Sequence, residues 1–351
     1  MWFLYLILLI LILGIIILIH EFGHFIFAKK SGVHIYEFAI GMGPLIYQKK
    51  GKDGINYSIR AFPIGGYVQM AGEVYEDDDL EKIPKEKFMC NRPWYQRVLT
   101  IVAGVLFNFI LALVLLFTMA LIWGAKSSTP IVAEAPEEYP IAQAGIVAGD
   151  TITSVNGKKV TTWEKTQLLL TMKSKDDIYK IEVKHKDGST DTYEVKPTIT
   201  EDEDGNEIKV FGVSIEQNIE KGIIASAKYA VEKFGSLVES MAIVIGGLFT
   251  GSLSLSALSG PIGIYQVVGQ SAQAGIQNVV YLIAYLSINV GFINILPFPA
   301  FDGGRLIFML IEKIKGSPVN SKIENTFHTI GFILLMILML YICVQDVFRL
   351  F

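Results

Sequence analysis

The sequence predicts a polytopic α-helical membrane protein with four transmembrane helices, a membrane-associated β-hairpin and an inserted, water-facing α+β domain. Three observations predict it. Hydrophobic residues make up 52% of the 351, and mean hydropathy is +0.45, as in an integral membrane protein. The apolar residues gather in long runs, the first of which, Trp2 to Ile19, is interrupted only by Gly14. Residues 126–217, between the second and third runs, turn charged, polar and strand-like. The net charge of −4 gives no sign of nucleic-acid binding. The two cysteines, Cys90 and Cys343, form neither a disulfide framework nor a zinc-ligand spacing.

The first helix spans 1–28. At about 1.5 Å of rise per residue, its apolar run covers roughly the thickness of a bilayer core. No basic residue precedes the run and no small-residue cleavage site follows it, so it reads as a retained helix rather than a signal peptide. Lys29 and Lys30 follow it, which puts the N-terminus outside and Lys29 in the cytoplasm. At its inner end stands His20-Glu21-Phe22-Gly23-His24. Two histidines four apart share one helix face, so both imidazoles can reach one metal ion. Zn2+ suits imidazole and tolerates an open coordination position. Glu21 is not spaced to join that face as a ligand, but it can serve as general base for an attacking water. Ionisable residues at this depth are costly and mark function. The plainer alternative is a helix end whose polar residues meet the interface.

Residues 29–97 read as a β region. Ile55, Tyr57 and Ile59 alternate with Asn56, Ser58 and Arg60, and Lys49 to Gly54 supply a turn. Gly41-Met42-Gly43-Pro44 and Pro63-Ile64-Gly65-Gly66 break any helix. Two placements fit this hairpin: dipping into the bilayer while packed on protein, or forming a small cytoplasmic sheet. The acidic run Glu76 to Glu81 reads as a solvated loop. The second helix spans 98–125 and carries Asn108, read as glue between helices, with a place in the active site as the alternative.

In the inserted domain, Gly149-Asp150 makes a turn, Ile152 and Val155 face a core, and Asn156-Gly157 is a hairpin turn. The parity of crossings puts this domain outside the cell. Residues 218–276 read as interfacial helix and loop, because the clean apolar stretch from Met241 is short for a crossing. The third helix spans 277–298 and the fourth 328–349, with Arg305, Lys313, Lys315 and Lys322 between them on the cytoplasmic side. The third helix ends in Asn294-Ile295-Leu296-Pro297-Phe298-Pro299-Ala300-Phe301-Asp302-Gly303. Its prolines stop the helix, and extended backbone then carries Asp302. Taken alone, Asp302 is a turn residue before Gly303-Gly304. However, the two histidines need a third protein ligand, and parity brings Asp302 to the membrane face where His24 lies.

The His-Glu-x-x-His run at 20–24 and the Asn-x-x-Pro-x-Pro-x-x-Asp-Gly run at 294–303 together resemble the site-2 protease family of intramembrane zinc metalloproteases. Ala144 to Gly157 is similar to the signature of PDZ domains, whose grooves bind peptide ends or extended segments. With one PDZ domain inserted between the second and third crossings, the chain resembles the bacterial RseP type over nearly its whole length. The resemblance implies His20, His24 and Asp302 as Zn2+ ligands and Glu21 as base. It implies that Asn294 helps hold the substrate backbone, and that the hairpin pairs with substrate through Tyr57, Ser58, Ile59 and Arg60. Ala103 to Asn108 resembles the family's Gly-Pro-x-x-Asn pattern, with Val105 where Pro is usual. It also implies a bacterial inner-membrane location and substrates such as anti-sigma factors trimmed by an upstream site-1-type protease, or remnant signal peptides. Two other classes compete: a membrane-anchored PDZ adaptor with a non-catalytic metal site, and an ion transporter using intramembrane His and Asp.

Overall fold

A computed structural model of the protein describes residues 2–72, 83–201, 207–216, 218–255, 258–317 and 319–348. The expected acidic loop at 76–81 lies outside them. The chain begins with α1 (Trp2–Lys30), β1 (Ile35–Lys50), β2 (Asn56–Met70) and α2 (Trp94–Trp123). A region of short elements follows: β3 (Ala125–Lys126), β4 (Val132–Glu134), α3 (Pro140–Gln143), β5 (Thr151–Val155), β6 (Lys158–Lys159) and α4 (Trp163–Thr171). It continues with β7 (Tyr179–Lys184), β8 (Thr190–Val195), β9 (Thr198–Glu201), β10 (Glu207–Val210), β11 (Ser214–Ile215) and β12 (Ile219–Glu220). Five helices complete the chain: α5 (Ile223–Thr250), α6 (Pro261–Ala274), α7 (Ile276–Ile295), α8 (Asp302–Lys315) and α9 (Ser321–Phe348).

Among the described residues, five helices are long and apolar enough to cross a membrane: α1, α2, α5, α7 and α9. The fifth candidate is α5, the least apolar of them, and it falls within the stretch 218–276 expected as interfacial helix and loop. The chain divides into two compact units, Met1–Leu115 with Ser259–Asp346, and Leu116–Leu258 with Val347–Phe351.

In the first unit, α1 is the central post. Leu9, Ile12 and Ile16 pack on Val268 of α6 and on Val279, Leu282 and Leu286 of α7. The stretch expected to be loop thus contains α6. Its small residues hid it from hydropathy, yet they allow close packing: a Cβ on Gly269 would stand 3.2 Å from the Tyr5 ring. Pro261 sits in its first turn, where a missing N–H costs nothing.

The hairpin β1–β2 is longer than the alternation at 55–60 indicates, because its Gly and Pro residues lie inside the strands. Phe38, Ala39 and Ile40 are each partnered twice, with Val68, Tyr67 and Gly66 and with Tyr57, Ser58 and Ile59. The residues Tyr57–Ile59 are also paired with Lys49, Gln48 and Tyr47. Folded this way, the hairpin lies along α1. Asp53 at its turn pairs with Lys29 at 2.6 Å, and a Cβ on Gly14 would stand 2.7 Å from the Pro63 carbonyl oxygen. Phe25, Ala28, Phe38, Ile55, Val68 and Met70 form the shared core.

The second unit holds the inserted domain, with a four-stranded antiparallel sheet in the order β6-β5-β7-β8. Ile152 and Val155 are fully buried in it, as the alternation requires, beside Ile141, Ile146, Tyr179, Ile181 and Val183. Asn156 and Gly157 both have positive φ, 51° and 75°, the geometry of a tight hairpin turn. The first half of α5 docks on α4: Lys233 pairs with Glu164, Lys165 with Glu239 at 2.5 Å, and the Thr162 and Ser236 hydroxyls meet at 2.8 Å. These polar partners explain why α5 shows only a short clean apolar run in the sequence.

Candidate metal centre

Three donor atoms from two distant stretches converge in the first unit. His20 Nε2 lies 3.0 Å from Asp302 Oδ2, His24 Nε2 lies 3.1 Å from His20 Nε2, and His24 Nε2 lies 3.4 Å from Asp302 Oδ2. Donors held at zinc's usual bond length in a tetrahedron stand about 3.3 Å apart. The three separations bracket that value, so the donor set fits a zinc ion with a fourth position left for water or substrate. His20 and His24 are each only 7% exposed.

Local sequence explains how each donor arrives. The histidines occupy successive turns of α1. Gly23, on the same stretch, removes the side chain that would strike the Ala103 carbonyl oxygen, so α1 and α2 touch backbone to backbone. Asp302 is the first residue of α8, capped by extended Phe301, and not part of the extended stretch expected for it. The turn that redirects the chain is at Ala300, which takes φ +74°. Gly303 and Gly304 are helical. Their missing Cβ atoms let α8 start against the carbonyl oxygens of Ile295, Leu296 and Phe298, which explains the glycine pair without assigning it to a turn.

Glu21 points to the hairpin side, where its Oε2 accepts from the Val68 backbone N–H at 3.2 Å. A cavity of about 290 Å³ includes His20, Glu21, His24, Val68, Asn294 and Asp302 in its wall. Asn294 is therefore brought to the site. Tyr57, Ser58, Ile59 and Arg60 do not line this cavity. The first three already have strand partners on both sides, which leaves no free edge for another strand.

Sequence reasoning gave α2 a place here only as the alternative for Asn108, and missed Thr100 and Gly104. His24 Nδ1 donates to the Thr100 carbonyl at 2.8 Å, and Asn108 Nδ2 stands 3.3 Å from His20 Nδ1. Asn108 thus stands against one of the two histidines of the candidate centre. A Cβ on Gly104 would stand 2.5 Å from His24 Nε2 and 2.8 Å from His20 Cε1. The available signal was the spacing of Thr100, Gly104 and Asn108, four apart on one helix face.

The description of peptidase family M50 matches residues 8–338. The chain belongs to peptidase family M50. It is 31% identical to the regulator of sigma-W protease RasP of Bacillus subtilis, over 97% of this chain and 98% of that protein. It is 36% identical to a putative zinc metalloprotease of Clostridium acetobutylicum, over 96% of each chain. A putative zinc metalloprotease of Fusobacterium nucleatum is 34% identical, over 97% and 98%. This M50 peptidase is a zinc metalloprotease of the site-2 type, and its apolar helices make it a multi-pass membrane protein. The enzyme reading therefore stands, and the adaptor and transporter readings fall away.

Proposed function

We propose that this M50 peptidase hydrolyses peptide bonds in or near the transmembrane segments of single-span proteins that another protease has already trimmed. Anti-sigma factors and remnant signal peptides are the substrates this reading favours, in line with the sigma-W regulator among its relatives. The observation that carries it is the convergence of His20, His24 and Asp302, with Glu21 beside them, on helices apolar enough to lie in a bilayer.

His20, His24 and Asp302 would hold the zinc, which when bound would polarise the scissile carbonyl and acidify the attacking water. Glu21 takes the proton of that water and passes it to the leaving amine. The Val68 N–H steadies the Glu21 carboxylate from the hairpin side. A membrane helix hides its carbonyls in internal hydrogen bonds, so the substrate must be held unwound. Asn294 offers an amide to that backbone. The hairpin arm Val68–Met70, which lines the cavity, replaces Tyr57–Arg60 as the strand for substrate to lie beside.

The re-entrant placement of the hairpin is favoured over a cytoplasmic sheet. It runs beside α1 as far as Gly14 and exposes Ile40, Met42, Leu45, Ile46, Phe62 and Ile64, an apolar surface suited to lipid. The reading takes α5, the least apolar candidate, as lying at the interface, so that four helices cross; it keeps the termini outside, the site near the cytoplasmic face and the PDZ-like domain outside, where it screens substrates by bulk. A reconstituted assay tests the proposal. A single-span reporter carrying Gly or Pro near the cut should be cleaved faster than an uninterrupted Leu-rich helix, and chelation should stop both. Asn294→Ala should slow cleavage with zinc still bound. Equal rates on stiff and broken helices would reject the unwinding requirement.

A further inference from the structure

We propose that Asn108 is a positioning residue that fixes the zinc-binding tautomer of His20 by accepting a hydrogen bond from its Nδ1–H. The inference rests on the ligand set proposed above. An imidazole that ligates through Nε2 carries its proton on Nδ1, and that proton needs an acceptor. For His24 the acceptor is plain: Nδ1 faces the Thr100 carbonyl at 2.8 Å. For His20, Nε2 faces the other two donors at 3.0 and 3.1 Å, so its proton belongs on Nδ1. The group facing Nδ1 is the Asn108 amide, with Nδ2 at 3.3 Å.

Two N–H groups cannot bond to each other. Asn108 is fully buried, and its Oδ1 has no hydrogen-bond partner. A half-turn about Cβ–Cγ exchanges oxygen and nitrogen, and places Oδ1 on the His20 proton. Amide orientation is assigned from such networks, and ligand chemistry decides this one. Behind it, Ser287 Oγ on α7 donates to the Asn108 backbone carbonyl at 2.9 Å, which ties this turn of α2 to α7. Thr100, Gly104 and Asn108 thus form one stripe of α2: an acceptor for His24, a gap for both rings, and an acceptor for His20.

The test is zinc affinity of the full-length chain in detergent, read by competition with a chromogenic chelator, with cobalt visible spectra reporting coordination geometry. Asn108→Leu keeps the size and removes the acceptor. It should lose roughly 10–100-fold in affinity, the usual cost of removing a partner of a metal-binding histidine. Asn108→Asp keeps an acceptor and should stay within about threefold of wild type. Helix packing alone would predict the reverse order, since Leu packs and a buried charge does not. His24→Ala is the reference. Wild-type affinity in Asn108→Leu beside a zinc-free His24→Ala overturns the Asn108 assignment alone. Equal losses in Asn108→Leu and Asn108→Asp also overturn it. Zinc retained in His24→Ala overturns the ligand set, and this inference with it.

Discussion

Two clusters of charged and polar side chains lie in the first unit, and they differ in what they leave open. In the hairpin, Arg60 Nη2 reaches both Glu37 oxygens at 2.9 and 3.0 Å, Tyr67 donates to Oε2 at 2.7 Å, and Arg60 Nη1 donates to the Gly43 carbonyl at 2.9 Å. Glu37 has its cation built in. At the candidate centre, two imidazole nitrogens and a carboxylate oxygen stand 3.0–3.4 Å apart, converging on one point, and Arg305 lies in the wall of the same cavity. A buried ion pair satisfies itself. A set of converging lone pairs is completed only by a cation from outside, which is how a catalytic metal site differs from a structural pair.

The sharpest way to break this comparison is to remove one donor at a time. His20→Ala, His24→Ala and Asp302→Ala should each bring zinc content close to zero and abolish cleavage of a transmembrane reporter. Elemental analysis of the purified chain, run beside the cleavage assay, checks both. Full zinc content in any of the three would remove that residue from the set.

Gly104→Ala comes next. Its new Cβ would stand 2.5 Å from His24 Nε2, so the rings must move. Zinc affinity should fall roughly 10–100-fold, while helix content by circular dichroism stays unchanged. Unaltered affinity would mean that the rings have room to spare.

The hairpin cluster should respond differently. Arg60→Met leaves Glu37 without its cation, so the thermal midpoint should drop while zinc stays stoichiometric. Glu37→Gln in the same background should recover part of the loss. Loss of zinc in Arg60→Met would show that the two clusters are coupled rather than distinct.

The smallest effect is on pH. Burial raises the Glu37 carboxyl, but hydrogen bonds from Ser58, Tyr67 and Arg60 outweigh it, so the net shift is below the ordinary 4.5. A carboxyl lowered on folding stabilises the fold fully above its unfolded value, and that contribution is lost as pH falls through the lower folded value. Stability of the zinc-free protein should therefore slope downward below about pH 4.5, and Glu37→Gln should flatten the slope. Thermal unfolding from pH 6 to pH 3 reads it.

The same contrast explains what the sequence made legible. His20 and His24 could be read directly, because helical spacing alone puts them on one face. Asp302 was legible through the parity of crossings, but its start of α8 was not, since that depends on Gly303 and Gly304 meeting the end of α7. Helix α6 was hidden because hydropathy discounts the small residues that pack it. Tyr57–Arg60 read as a substrate edge because alternation reveals a strand but not its neighbours, and here both sides of Tyr57, Ser58 and Ile59 are taken. Thr100, Gly104 and Asn108 were visible as a spacing. Only the rotation of α2 against α1 turns that spacing toward the histidines.

The central claim is that the open cluster binds zinc for chemistry and that Glu21 supplies the base. Glu21→Gln tests it most directly, with zinc content and single-turnover cleavage measured on the same preparation. The account predicts one zinc per chain and a cleavage rate lower by at least about 10²-fold, the low end of what a general base contributes. Wild-type cleavage by a zinc-loaded Glu21→Gln protein would contradict it.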